Sequence, residues 1–177
     1  MTIATTIAML RRQSFPGMLV GGILLLAQAA SAQSWTTAAT ACVPDESSVG
    51  LYQFDDATVT INGSAPTDAA VKLRCNIPSP EDVTASSSPS SWNRMQVGYT
   101  DPGGSTEVKV QLVRVTKATG AVWVMATFTS VTAAAPTVGS ATIASAFDFT
   151  TYVYYVGINL TRTSGSSTPS VWFVSVD

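Results

Sequence analysis

Hydrophobic and polar positions alternate along most of this chain, and turn residues separate the alternating stretches. In residues 71–77, Val71, Leu73, Cys75 and Ile77 fall on one face and Lys72, Arg74 and Asn76 on the other. That period of two predicts a strand with one buried face. Residues 92–100 repeat it with Met95, Val97 and Tyr99 inward. Residues 107–116 start with Val108, Val110 and Leu112 inward. Val113 and Val115 then break the parity, which predicts a bulge near Leu112 and Val113. In residues 121–130, Val122, Val124, Ala126 and Phe128 form one row and Trp123, Met125 and Thr127 the other. The short stretch 117–120 joins these last two strands as a hairpin.

Residues 152–162 place Tyr152, Tyr154, Val156, Ile158 and Leu160 inward, with Tyr155, Gly157, Asn159 and Thr161 outward. Residues 171–176 read as a last strand, and 51–54, 57–61 and 146–150 as shorter ones. Helical periodicity is nearly absent. The fold class that follows is all-β: an antiparallel two-sheet β-sandwich, jelly-roll-like or immunoglobulin-like, of eight or nine strands. Two connections are long, 78–91 and 131–145. Their Ser, Thr, Ala and Pro content marks them as mobile loops.

The first residues form a different pattern. Arg11 and Arg12 precede an apolar run over 17–27, and Ala30-Ser31-Ala32 is a small-x-small cleavage site. This predicts a cleaved export signal over 1–32, a loose arm over 33–41 and a single sandwich domain over 42–177. The expected location is extracellular or periplasmic, with no membrane span after cleavage. Cys42 and Cys75 are then the only cysteines in an oxidising compartment, and the expectation is a disulfide.

Composition removes most chemistry. The 177 residues contain no histidine. Ser-His-Asp and Cys-His catalysis, His-ligated zinc and histidine pH switching are therefore excluded. Loss of Arg11 and Arg12 with the signal leaves seven basic residues against eleven acidic ones, without a basic cluster in the sequence. Nucleic acid is thus no expected partner. The outward cations Lys72, Arg74, Arg94 and Lys109 read as scattered, which argues against a charged site. The adjacent acids Asp55-Asp56 and Glu81-Asp82 are what remains for a glycosidase or lyase, and they read primarily as turn residues. No cofactor is called for. Structural calcium would draw on Asp55, Asp56 and Asp101 as oxygen ligands.

The remaining lead is aromatic. Trp123 and Tyr155 lie on the parity opposite the more apolar row of their strands, with Thr127 and Asn159 on the same parity. Rings on a sheet face stack against sugars, and neighbouring hydroxyls and amides set orientation. Asn159-Leu160-Thr161 and Asn62-Gly63-Ser64 are also glycosylation sequons. In fold class and outward rings the chain is similar to jelly-roll carbohydrate-binding modules. This implies a non-catalytic secreted module whose partner is a glycan or a cell-surface protein. Its export signal, cysteine pair and alternating final strand also resemble chaperone–usher pilin subunits, which implies a surface assembly subunit as the alternative. Oligomeric state does not follow from the pattern.

Overall fold

A computed structural model describes residues 34–79 and 92–177. The expected signal and Glu81-Asp82 lie outside the described residues. Among the described residues eleven strands form two antiparallel sheets. They are β1 (Trp35–Ala38), β2 (Val43–Pro44), β3 (Tyr52–Asp55), β4 (Thr58–Ile61), β5 (Ala70–Ile77), β6 (Arg94–Asp101), β7 (Thr106–Thr116), β8 (Val122–Thr129), β9 (Ala133–Thr142), β10 (Tyr152–Arg162) and β11 (Ser170–Val176). The six-stranded sheet runs β3-β4-β11-β6-β9, with β1 also on β11. The five-stranded sheet runs β2-β5-β10-β7-β8. Among the described residues only β3–β4 and β7–β8 pair as sequence neighbours. From β5 onward every other connection crosses between the sheets, so one core is built from residues far apart in sequence.

The alternation read from the sequence is what fills that core. Val71, Leu73, Cys75 and Ile77 of β5 are buried, as are Met95, Val97 and Tyr99 of β6 and Val108, Val110 and Leu112 of β7. Tyr154, Val156, Ile158 and Leu160 of β10 join them. Burying each such side chain stabilises the fold by about 1.5–3 kcal/mol. Cys42 and Cys75 form a disulfide that ties the segment before β2 to the inner row of β5. Among the described residues no helix is long and apolar enough to cross a membrane.

Three expectations change. The arm over 33–41 contains β1, which pairs Trp35–Ala38 with the final strand. The connection over 131–145 contains the ten-residue β9, paired with β6 from Arg94↔Thr142 to Asp101↔Ala133. Bland Ala, Thr and Ser side chains hid it, because a half-exposed edge strand gains its order from backbone pairing rather than from an apolar row. The strand expected over 146–150 is a turn. There Asp148 Oδ1 accepts from the backbone N–H groups of Thr150 and Thr151, which draws the chain away from a ladder. Phe147 and Phe149 instead cap one end of the core against Trp92 and Tyr154.

The two sheet edges meet at Gly139. A Cβ there would lie 2.2 Å from Phe128 Cε2 of the facing sheet, and Phe128 packs edge-on against Tyr99 with ring centroids 5.1 Å apart. Gly139→Ala should therefore cost about 1–3 kcal/mol by forcing the ring out of its seat, read as a lowered midpoint in urea unfolding. A second expectation concerns the disulfide, which closes a loop with a sequence separation of 33. Reduction should destabilise the protein by about 3–4 kcal/mol in the chain-entropy account. Differential scanning calorimetry with and without reductant reads it, and the mass of the oxidised protein should be two hydrogens lower.

Candidate functional site

The outer face of the five-stranded sheet is laid out by the register of β10, which pairs along its length with β5 and β7. Three rows cross the face. Asn76, Tyr155, Val113 and Val124 form the first. Arg74, Gly157, Gln111 and Thr127 form the second. Lys72, Asn159, Lys109 and Thr129 form the third. A groove of about 240 Å³ opens here, lined by Lys72, Arg74, Lys109, Gln111, Tyr155, Gly157 and Asn159 among others. A second recess, of about 600 Å³, adjoins it through Leu73 and Arg74 and runs toward Val43, Asp45 and Glu46.

Gly157 makes the groove. Its neighbours along β10 on this face carry side chains, and it carries none, so the side-chain layer has a gap at its centre. A Cβ there would meet Tyr155 Cε2 at 3.8 Å and the Gln111 carbonyl at 4.0 Å, ordinary contact distances. Tyr155 therefore forms one wall. The Arg74 guanidinium lies over its ring, 4.8 Å from the centroid. Gln111 Nε2 donates to Thr127 Oγ1 at 3.4 Å on the other side. Asn159 Oδ1 is buried and accepts no hydrogen bond from any described residue. An unpartnered buried acceptor at the edge of an open groove is costly unless a ligand or water donates to it.

Of the four residues read as ligand-binding, the structure brings together Tyr155, Thr127 and Asn159. Trp123 is elsewhere. The bulge expected near Leu112 and Val113 is present at that level, but the extra residue is on the partner strand. Leu112 pairs with Ala126 and Val113 with Val124, which leaves Met125 unpaired. Strand β7 keeps unbroken register with β10, so Val113 and Val115 stand on the outer face. The bulge reverses parity in β8, and Trp123 pairs with Arg114, which pairs in turn with the inward Tyr154. Trp123 thus lies on the core-facing side of an edge strand, 57% exposed because the facing sheet does not cover it there.

The charged residues also differ from expectation. Lys72, Arg74 and Lys109 are not scattered; they border one groove. No amount of single-strand reading shows this, because they come from β5 and β7, joined only through β10. Arg94 is apart from them, with Nη2 2.5 Å from Asp177 Oδ2. Asp45, at the rim of the second recess, accepts from the Ser47 hydroxyl at 2.6 Å and the Ser47 backbone N–H at 3.0 Å. Those bonds hold its carboxyl below the usual carboxylate range, and Lys72 and Arg74 act in the same direction.

The acids considered for calcium or catalysis do not converge. Asp55 ends β3 and Asp56 takes φ 50° in the turn to β4, both exposed. Asp101 is 3% exposed. Its Oδ1 accepts from Gly103 N–H at 2.9 Å and the Thr106 hydroxyl at 2.6 Å, and its Oδ2 accepts from the Ser130 hydroxyl. Among the described residues no three His, Cys, Asp or Glu side chains group as metal ligands.

No family model matches the chain, and no curated protein matches it in sequence. Solved structures similar to it include carbohydrate-binding modules and a family two carbohydrate esterase from Cellvibrio japonicus, the latter at 7% identity and TM-score 0.36, covering 81% of this chain and 32% of that one. One is a module from the β-sandwich superfamily described for promiscuous specificity, at 13% identity and TM-score 0.45, covering 78% of this chain and 54% of that one. Another is the low-affinity xylan-binding module CBM86 of Roseburia intestinalis, at 16% identity and TM-score 0.44, covering 82% and 95%. A third is the family 11 module of Clostridium thermocellum in complex with a β-1,3-1,4-mixed-linked tetrasaccharide, at 8% identity and TM-score 0.45, covering 81% and 86%.

Asp101 is a structural keystone on this geometry, since its oxygens already serve three donors. Asp101→Ala should destabilise by about 2–4 kcal/mol by leaving those donors unpaired, measured by chemical unfolding. Addition of EDTA to the wild-type protein should leave the melting temperature unchanged.

Proposed function

We propose that this chain is a non-catalytic, exported carbohydrate-binding module whose site is the groove at Gly157. The observation that carries the reading is a gap in the side-chain layer, walled by an aromatic ring and bordered by a buried acceptor without a donor. A sugar has the matching chemistry. Its C–H face packs on a ring, and its hydroxyls donate to an amide oxygen and accept from an amide nitrogen. Tyr155 supplies the ring, Asn159 the acceptor and Gln111 the donor. The disulfide supports export, since such bonds persist in oxidising compartments.

Assembly through the last strand is the weaker reading. Strand β11 lies inside its sheet, paired with β6 on one side and with β1 and β4 on the other, so it offers no free edge.

Affinity electrophoresis through gels containing a panel of plant and microbial polysaccharides tests the proposal. Retardation is expected in at least one. Tyr155→Ala should weaken it at least tenfold, since a stacked ring contributes about 1.5–3 kcal/mol. Gly157→Val should block it by filling the gap while leaving the fold intact, as a β-branched residue suits a strand. Trp123→Ala should leave it unchanged. Binding lost with Trp123→Ala but retained in Gly157→Val would overturn this site. Polysaccharide turnover abolished by Asp55→Asn or Asp56→Asn would overturn the non-catalytic assignment.

A further inference from the structure

The described residues contain seven cations, and four of them lie away from the Gly157 groove. Arg94 pairs with Asp177. Lys117 Nζ donates to the Phe149 carbonyl at 2.7 Å. The Arg114 guanidinium lies over the Tyr152 ring, 4.8 Å from its centroid. Arg162 is only 2% exposed and donates to the carbonyls of Ala65 and Pro66. The other three, Lys72, Arg74 and Lys109, all line the Gly157 groove, where the Arg74 guanidinium lies over the Tyr155 ring as Arg114 lies over Tyr152. None of them forms an ion pair among the described residues.

We propose that the ligand of this groove is an acidic polysaccharide, a glycan chain bearing carboxylates, which Lys72, Arg74 and Lys109 hold while the sugar rings sit over Gly157. The proposal rests on the glycan reading above and adds the charge of the ligand. Register sets the geometry. Lys72 and Lys109 flank Asn159 from the strands on either side. Two strand spacings separate them, about 10 Å, and Arg74 lies one two-residue step from Lys72, about 7 Å. Carboxylates spaced along a saccharide chain can meet cations distributed this way, whereas a single small anion can reach only one or two of them.

Three like charges on one face repel each other, and a chain with eleven acidic residues against nine basic ones has counter-charges to spare. Carboxylates nevertheless stay at the margins. Asp45 stands beside Lys72, its backbone N–H donating to the Lys72 carbonyl at 2.9 Å, but its carboxylate is held by Ser47 and forms no ion pair with Lys72 or Arg74. Glu107 lies on the same face one row past Lys109, opposite Thr161. Arg74 is steered over the groove wall by the Tyr155 ring rather than by an acid. A guanidinium and two ammonium groups without an ion-pair partner among the described residues, beside a sugar-sized gap, are complementary to a polyanionic sugar.

The test compares polygalacturonate with the same polysaccharide fully methyl-esterified, by isothermal titration of the whole mature protein. Polygalacturonate should bind at least tenfold more tightly. Its affinity should fall steeply as NaCl is raised, as expected for exposed charges under screening. Lys72→Gln and Lys109→Gln should each weaken it about fivefold and the pair more than tenfold, with unchanged melting temperatures and a smaller loss for the ester. Polyglutamate should not compete. Equal binding of acid and ester, lost in Gly157→Val but indifferent to salt and to both lysine variants, would overturn the acidic ligand and leave the glycan reading standing. Competition by polyglutamate would overturn the inference as well, because charge alone would then suffice. Failure of both polymers, together with a polysaccharide panel without retardation, would remove both readings.

Discussion

The uninterrupted alternation of β10 is the constraint on which the rest depends. Its inner row, from Tyr154 to Leu160, is buried in the core. Its outer row, Tyr155, Gly157 and Asn159, is the middle line of the groove. Because β10 pairs with β5 and β7 over nearly its whole length, the same hydrogen-bond ladder that stabilises the sheet also fixes which side chains become neighbours on the outside. A one-residue slip would place Gly157 in the core and Val156 over the groove, losing buried apolar area and the site together. Core and site are therefore two faces of one register.

Gly157 shows how absence of a side chain opens a groove. A glycine in a central strand weakens it, since it contributes no packing and loses more entropy on ordering. No close approach in the fold requires it, because a Cβ there would meet nothing nearer than 3.8 Å. Gly139 is the contrast. There the Phe128 ring occupies the space a Cβ would need, and the glycine is required by packing. Gly157 on the outer face and Gly139 on the core-facing side thus carry different meanings, and only the packing around each separates them.

The bulge at Met125 shows where period-two reading fails. Val113 and Val115 looked like a break in β7, and an irregularity does fall beside them. The break belongs to β8, however, and it turns Trp123 away from Tyr155. Parity along one strand gives faces relative to that strand only. When a partner strand gains a residue, the apolar pattern of either strand can absorb it, and exposed Val122 and Val124 mark the outer face no less than buried Val113 does. Strand β9 failed for a related reason. Its residues bury little, so their order comes from pairing with β6 and from the Phe128 contact at Gly139.

The sequence by itself determined the fold class, the two-faced strands β5, β6, β7 and β10, the burial of Cys75, and the exclusion of histidine-dependent chemistry. These are local properties: alternation, turn residues and composition are readable within a few residues of one another. It also marked Tyr155, Asn159 and Thr127 as outward. Only the tertiary structure decided that Lys72, Arg74 and Lys109 meet Tyr155 and Asn159 around one gap, and that Trp123 does not. The pairings responsible join β5 to β10 and β10 to β7 across long stretches of chain. Such non-local pairings are selected by the burial of the whole core rather than by any segment's own preference, so the neighbours they create on the outer face leave no trace in local sequence.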